Sequence, residues 1–183
     1  MSIFKSTFGK LADGKEIELY TITNKNGASV SLQTLGAGIQ SLCMPDKNGR
    51  LNDVVLGFDN PQDYTNPDYG YQGLAVGRGA NRIRDGKFTF NGVEYNTPKN
   101  QGTWTLHGGG RFSFTPWEVD STTDNSVTFK RFSPDGEDGF GGNFEIKITY
   151  TLTDNNALVI DYSILCDQDT VANPTNHAYF NLS

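Results

Sequence analysis

The sequence predicts an all-β protein, an antiparallel β-sandwich, on three observations. Period-two alternation runs through nearly every apolar segment, no window carries a helical stripe, and the 21 glycines fall with Asn, Asp and Pro between the apolar runs. In order, strands are expected at Glu16–Thr23, 28–35 and 39–44, where β-branched and aromatic residues concentrate. Residues 87–90 and 93–95 flank Asn91-Gly92, the pair a type I′ turn favours, and form a hairpin. Strand-like runs follow at 117–121 and 126–132. Phe144–Leu152 sets Phe144, Ile146, Ile148, Tyr150 and Leu152 against Glu145, Lys147, Thr149 and Thr151, a half-buried strand. Asp154-Asn155-Asn156 turns the chain, and 157–165 returns with Leu158, Ile160, Tyr162 and Ile164 on one face.

The 183 residues suit a single domain, 1–183, able to bury roughly 70% of its unfolded surface. No repeat, low-complexity tract or linker divides it. The final Ala178-Tyr179-Phe180-Asn181-Leu182 reads as a strand without a polar tail, so the chain is expected to be a piece of something longer.

A net charge of −6 argues against nucleic acid or an anionic membrane as partner, since both need a basic face. No run approaches the ~20 apolar residues of a membrane span, and Met1 to Ser6 lacks the apolar stretch of a signal peptide. Cys43 and Cys166 lie in apolar strand-like segments without CxxC spacing, which predicts buried free thiols and a cytoplasmic location.

Three segments carry candidate chemistry. The two histidines both sit in Gly- or Asn-rich polar motifs: His107 in Thr105-Leu106-His107-Gly108-Gly109-Gly110, where the glycines should leave the imidazole accessible, and His177 in Asn173-Pro174-Thr175-Asn176-His177-Ala178-Tyr179. If residues 177–182 are a strand, His177, Tyr179 and Asn181 share a polar face, and Ala178, Phe180 and Leu182 form an apolar core face. From the residues alone each histidine is open to a structural or a functional reading. Zinc is set aside, because no third ligand stands at HxH or HxxxH spacing. Gly77-Arg78-Gly79-Ala80-Asn81-Arg82-Ile83 is either a solvated basic turn or an anion-binding loop, but it lacks the Lys-Ser/Thr of a P-loop. Glu137 and Asp138, in a Gly-rich loop bordering a cleft, read as solvated acids.

The same segments resemble the aldose 1-epimerase (galactose mutarotase) family, in the order that family has them: the Leu35-Gly-Ala-Gly-Ile39 turn, Val55 to Asp59, Gly-Arg-Gly-Ala-Asn81-Arg82-Ile, Thr-Leu-His107-Gly-Gly, Ser133-Pro-Asp-Gly-Glu-Asp-Gly139 and Asn173-Pro-Thr-Asn-His177-Ala-Tyr-Phe-Asn-Leu182. The resemblance spans essentially the whole chain and implies a mutarotase-like supersandwich, incomplete at its C-terminus. It implies interconversion of the α- and β-anomers of a free hexose such as galactose or glucose, with no cofactor or metal. It assigns His177 as general acid at the ring oxygen, His107 beside it, and Asn81, Arg82 and Tyr179 as substrate-binding. Gly141 replaces a proline commoner in the family. The family's catalytic glutamate and a second acidic sugar ligand belong to a later half with no counterpart here, so a C-terminal half is expected as a separate chain or missing segment. Two other functions fit the same architecture: a non-catalytic carbohydrate-binding module, and a hexose-phosphate 1-epimerase, for which Arg78, Arg82 and Arg84 share one loop.

Overall fold

A computed structural model describes residues 1–182. It opens with a five-stranded antiparallel meander, β1 (Ser2–Lys10), β2 (Glu16–Thr23), β3 (Ser29–Gln33), β4 (Gly38–Pro45) and β5 (Leu51–Asp53), paired in sequence order. A central stretch of short elements follows: β6 (Ala75–Val76), β7 (Arg82–Ile83), the hairpin β8 (Lys87–Phe90) and β9 (Val93–Asn96), β10 (Thr105–Leu106) and the one-turn helix α1 (Arg111–Phe114). A second antiparallel meander contains β11 (Glu118–Thr122), β12 (Ser126–Ser133), β13 (Phe144–Leu152) and β14 (Leu158–Cys166), after which β15 (Thr175–Asn176) pairs with β6.

The two meanders face each other as a β-sandwich. Tyr20, Ile22, Val30, Leu32, Ile39 and Leu42 from the first share one apolar cluster with Val127, Phe129, Ile146, Ile148, Tyr150 and Leu152 from the second. Tyr20 meets Phe129 edge-on at 6.5 Å, and the buried Tyr150 hydroxyl donates to the Ala37 carbonyl at 2.7 Å. β13 alternates as its sequence dictates, with Phe144, Ile146, Ile148, Tyr150 and Leu152 fully buried. Each such side chain contributes about 1.5–3 kcal/mol of burial. Ala75 of β6 and Phe112 of α1 belong to the same cluster, so the central loops are rooted in the sandwich core.

Three local expectations are corrected. β1 is a strand beyond those the alternation predicts: it is an edge strand with Phe4 exposed and a register shift near Gly9, which blurs its period-two pattern. Cys43 is half-buried and Cys166 exposed, the latter because it ends β14, a strand paired only on its β13 side; both are free thiols. Among the described residues only 175–176 of the segment from Asn173 to Leu182 join a ladder, with isolated bridges at Asn173 and Phe180. Among the described residues no helix is long and apolar enough to cross a membrane.

Truncating Ile148 to alanine should cost about 2–5 kcal/mol, since a cavity opens between two sheets that cannot collapse onto it. Urea unfolding measures this; a loss below about 1 kcal/mol would contradict the two-sheet core.

Candidate active site

The loop before β7 is fastened by Arg78. The sequence leaves this loop open to two readings, a solvated basic turn or an anion-binding loop; the Arg78 side chain fits neither, being 2% exposed with all five N–H donors used inside the protein. Nε and Nη2 donate to the Ser133 hydroxyl at 3.1 and 2.9 Å, Nη2 also to the Ser133 and Pro134 carbonyls, and Nη1 to the Gly141 and Gly142 carbonyls at 3.0 and 2.9 Å. The Phe144 ring lies 5.1 Å beneath the guanidinium. Burial draws the guanidinium's pKa down, countered by the nearby Glu137 carboxylate. Glu137 and Asp138 are not free acids of a solvated loop. Arg131 grips Glu137 with bonds of 2.8 and 3.0 Å, the Ser133 hydroxyl donates to it, and Arg111 reaches Asp138 at 3.3 Å. Burial pushes the Glu137 carboxyl up, but Arg131 and Ser133 outweigh it and hold it below the usual range.

His107 follows β10, which pairs with β7. One step beyond the ladder, the His107 N–H donates to the Asn81 carbonyl at 3.0 Å, and the Asn81 N–H donates to His107 Nδ1 at 3.1 Å. Nδ1 is therefore an acceptor, and the neutral ring carries its proton on Nε2. The next residue must be glycine: a Cβ at Gly108 (φ 65°) would lie 2.2 Å from the Gly77 carbonyl oxygen. Asn81 and His107 themselves adopt φ 67° and 50°, left-handed conformations that cost about 1–3 kcal/mol each unless their surroundings hold them. The glycines were expected to leave this imidazole accessible; it is 8% exposed, because Tyr71 and His177 pack on it at 4.8 and 4.9 Å. Burial, then the charges of His177 and Arg82, lower its pKa to about 4.

His177 is set by its backbone, whose N–H donates to Leu74 O at 2.9 Å and whose carbonyl accepts from Gly73 at 3.1 Å. Asn176 secures the approach, its amide donating to Gly73 O at 2.7 Å. The imidazoles of His177 and His107 meet nearly perpendicular, at 83°. Tyr179 lies 5.0 Å from His177, although residues 177–179 are not in a strand. The complementary apolar face does not form: Ala178 packs on the core, but Phe180 and Leu182 are 59% and 82% exposed. Here the backbone bonds singly to 54–56 rather than running in a continuous ladder. Among the described residues no hydrogen-bond partner occupies the His177 ring nitrogens.

Asn81 and Arg82 are exposed beside this pair. Arg82 Nε donates to Gln101 Oε1 at 2.7 Å, Nη1 lies 3.5 Å from Asn81 Oδ1, and the guanidinium sits 5.9 Å over the Trp104 ring. The structure thus unites His107, His177 and Tyr179, with Asn81 bonded to His107 and Arg82 joined through Asn81. Sequence reasoning missed Tyr71, which touches both histidines; within Tyr69-Gly70-Tyr71-Gln72-Gly73 it resembles any turn aromatic.

The His107 shift has a stability consequence. A folded value near 4 against about 6.5 unfolded means the unfolded chain binds more protons between those limits, so stability falls as pH drops from about 6.5 to about 4, by about 3 kcal/mol in total. Urea titrations at about pH 7.5 and about pH 5 should show a larger loss for the native protein than for His107→Gln. Equal losses would contradict a buried, neutral His107.

A sequence model of the family "Aldose 1-epimerase" matches residues 18–183. The chain is 41% identical to an aldose 1-epimerase of Haemophilus influenzae, over 93% of this chain and 49% of that protein. It is 40% identical to the galactose mutarotase of Sus scrofa, over 100% of this chain and 53% of that protein. It therefore spans about half the length of these relatives. Among solved structures, a GalM/aldose epimerase homologue from C. elegans superposes with a TM-score of 0.84 at 38% identity, covering 90% of this chain and 50% of that one. Galactose 1-epimerase from Lactobacillus acidophilus does so at 0.84 and 26% identity, covering 100% and 54%. By sequence and by fold, the chain belongs to the aldose 1-epimerase family.

Proposed function

We propose that this chain supplies the acid side of an aldose 1-epimerase site acting on free hexoses such as galactose or glucose. The observation that supports it is the 4.9 Å contact between one imidazole fixed by a backbone bond and another whose nitrogens have no hydrogen-bond partner among the described residues, beside exposed Asn81, Arg82 and Tyr179.

Anomer interconversion opens the hemiacetal, turns the C1–C2 bond and closes on the other face. In opening, the ring oxygen takes a proton from His177 as its bond to C1 breaks, and the C1 hydroxyl gives its proton to a base. Closing reverses both transfers, so no net proton is consumed. His107, donating from Nε2, would hold the same ring oxygen, while Asn81 and Arg82 bind hydroxyls and Tyr179 lines the pocket. The base belongs, by family resemblance, to a further half of the polypeptide, within which residues 1–183 would act as one unit. A phosphorylated hexose fits less well, because Arg78 spends every donor inside the protein. Two free cysteines suit a reducing, cytoplasmic location.

The test is polarimetry of freshly dissolved α-D-galactose with the polypeptide carrying both halves. Replacing His177 with Asn should lower turnover by about 10² or more; near-native turnover removes His177 from the mechanism. Arg82→Ala should chiefly raise KM, by about tenfold or more, as expected for a lost hydrogen bond from a charged group. Unchanged KM and kcat would remove Arg82 from binding.

A further inference from the structure

We propose that Tyr71 is a positioning residue of this site: its ring wedges behind both imidazoles, sets the tilt of His107 against His177, and screens the rear of His107 from water. The ring is 4% exposed and lies 4.8 Å from His107 at 68°, 6.3 Å from His177 at 36°, and 4.8 Å from Phe114 in a stacked arrangement. A wedge needs a fixed back, and Phe114 of α1 provides it.

The hydroxyl is anchored as well. It accepts from Asn100 Nδ2 at 3.3 Å, and the same Asn100 side chain clasps Leu106, accepting its N–H at 2.7 Å and donating to its carbonyl at 3.0 Å. Tyr71 is thereby tied to the residue that precedes His107. Its neighbours complete the arrangement. The Tyr179 hydroxyl lies where a Cβ on Gly70 would be 3.1 Å away, and Gly73 and Leu74 bond the His177 backbone. The stretch 70–74 therefore meets His107, His177 and Tyr179 together. Tyr71 does this from φ 59°, a conformation glycine would adopt more readily, so the ring is kept at a position where the backbone disfavours it.

The groups facing His107 are the Tyr71 ring, the His177 imidazole, the Arg82 guanidinium and the Asn81 N–H. None is anionic at neutral pH, since burial pushes the Tyr71 phenol above its ordinary value. Removing the ring admits water to His107 without supplying a counter-charge, which makes protonation easier. The catalytic meaning of this arrangement rests on the epimerase reading; the arrangement itself does not.

The experiment is ¹⁵N NMR of the histidine-labelled chain without sugar, its two imidazoles assigned through His107→Gln. In the native protein His107 should keep a bare Nδ1 down to about pH 5 and show ring-proton contacts with Tyr71; titration near the free value of about 6.5 overturns the proposal. Tyr71→Gly, which suits the left-handed backbone, should raise the proton affinity of His107 at least about tenfold, while Tyr71→Phe, which keeps the ring, leaves it near native. A purely structural Tyr71 would lower the melting temperature of Tyr71→Gly and leave the titration unmoved, which also overturns the proposal. No turnover enters the measurement, so its failure counts against Tyr71 alone and not against the epimerase.

Discussion

The site depends on one buried guanidinium. Arg78 carries a charge into the protein, where an uncompensated ion costs several kcal/mol, and this is offset by six hydrogen-bond contacts from its five donors, two ring faces and the field of Glu137. Those acceptors are mostly backbone carbonyls of 133–142, so the side chain shapes that loop as much as the loop receives it. The Arg78 carbonyl accepts from Asn173 at 2.8 Å, bringing in the segment that leads to His177. The peptide before Arg78 packs directly on Gly108, bringing in the segment that begins with His107. Three loops distant in sequence thus converge on one residue, and the histidines meet because their loops do.

Convergence alone would give two equivalent imidazoles, and they are not equivalent. His107 is pinned through Nδ1, buried, and disfavoured as a cation by its neighbours. His177 is held through its backbone and by the packing of Tyr71, His107 and Tyr179, and among the described residues its ring nitrogens have no hydrogen-bond partner. A fixed neutral donor beside an unencumbered imidazole is an arrangement in which the two can hold one oxygen while only one moves a proton.

Much of the sandwich was legible in the sequence because period-two alternation reports burial directly, as Phe144–Leu152 shows residue by residue. The site was legible only in part. Glycines at 77, 79 and 108–110 announce tight backbone but not what folds over it, so Arg78 stays open between a solvated turn and an anion-binding loop and His107 reads as accessible, whereas both are buried. The final segment alternates in sequence yet lacks a partner for a continuous ladder, and Phe180 and Leu182 stay in solvent. Tyr71 carried no signal, since its importance lies in contacts with residues 36 and 106 positions away along the chain, at His107 and His177.

On the proposed function these loops assemble a receptor for a free aldose around the two imidazoles. The most direct measurement is a galactose titration of the histidine-labelled chain, following both ring signals at neutral pH. The His107 and His177 signals should move together along one saturating curve, and His107→Gln should weaken the response at His177. A titration in which neither signal moves, or in which hexose 6-phosphate moves them and galactose does not, would contradict it.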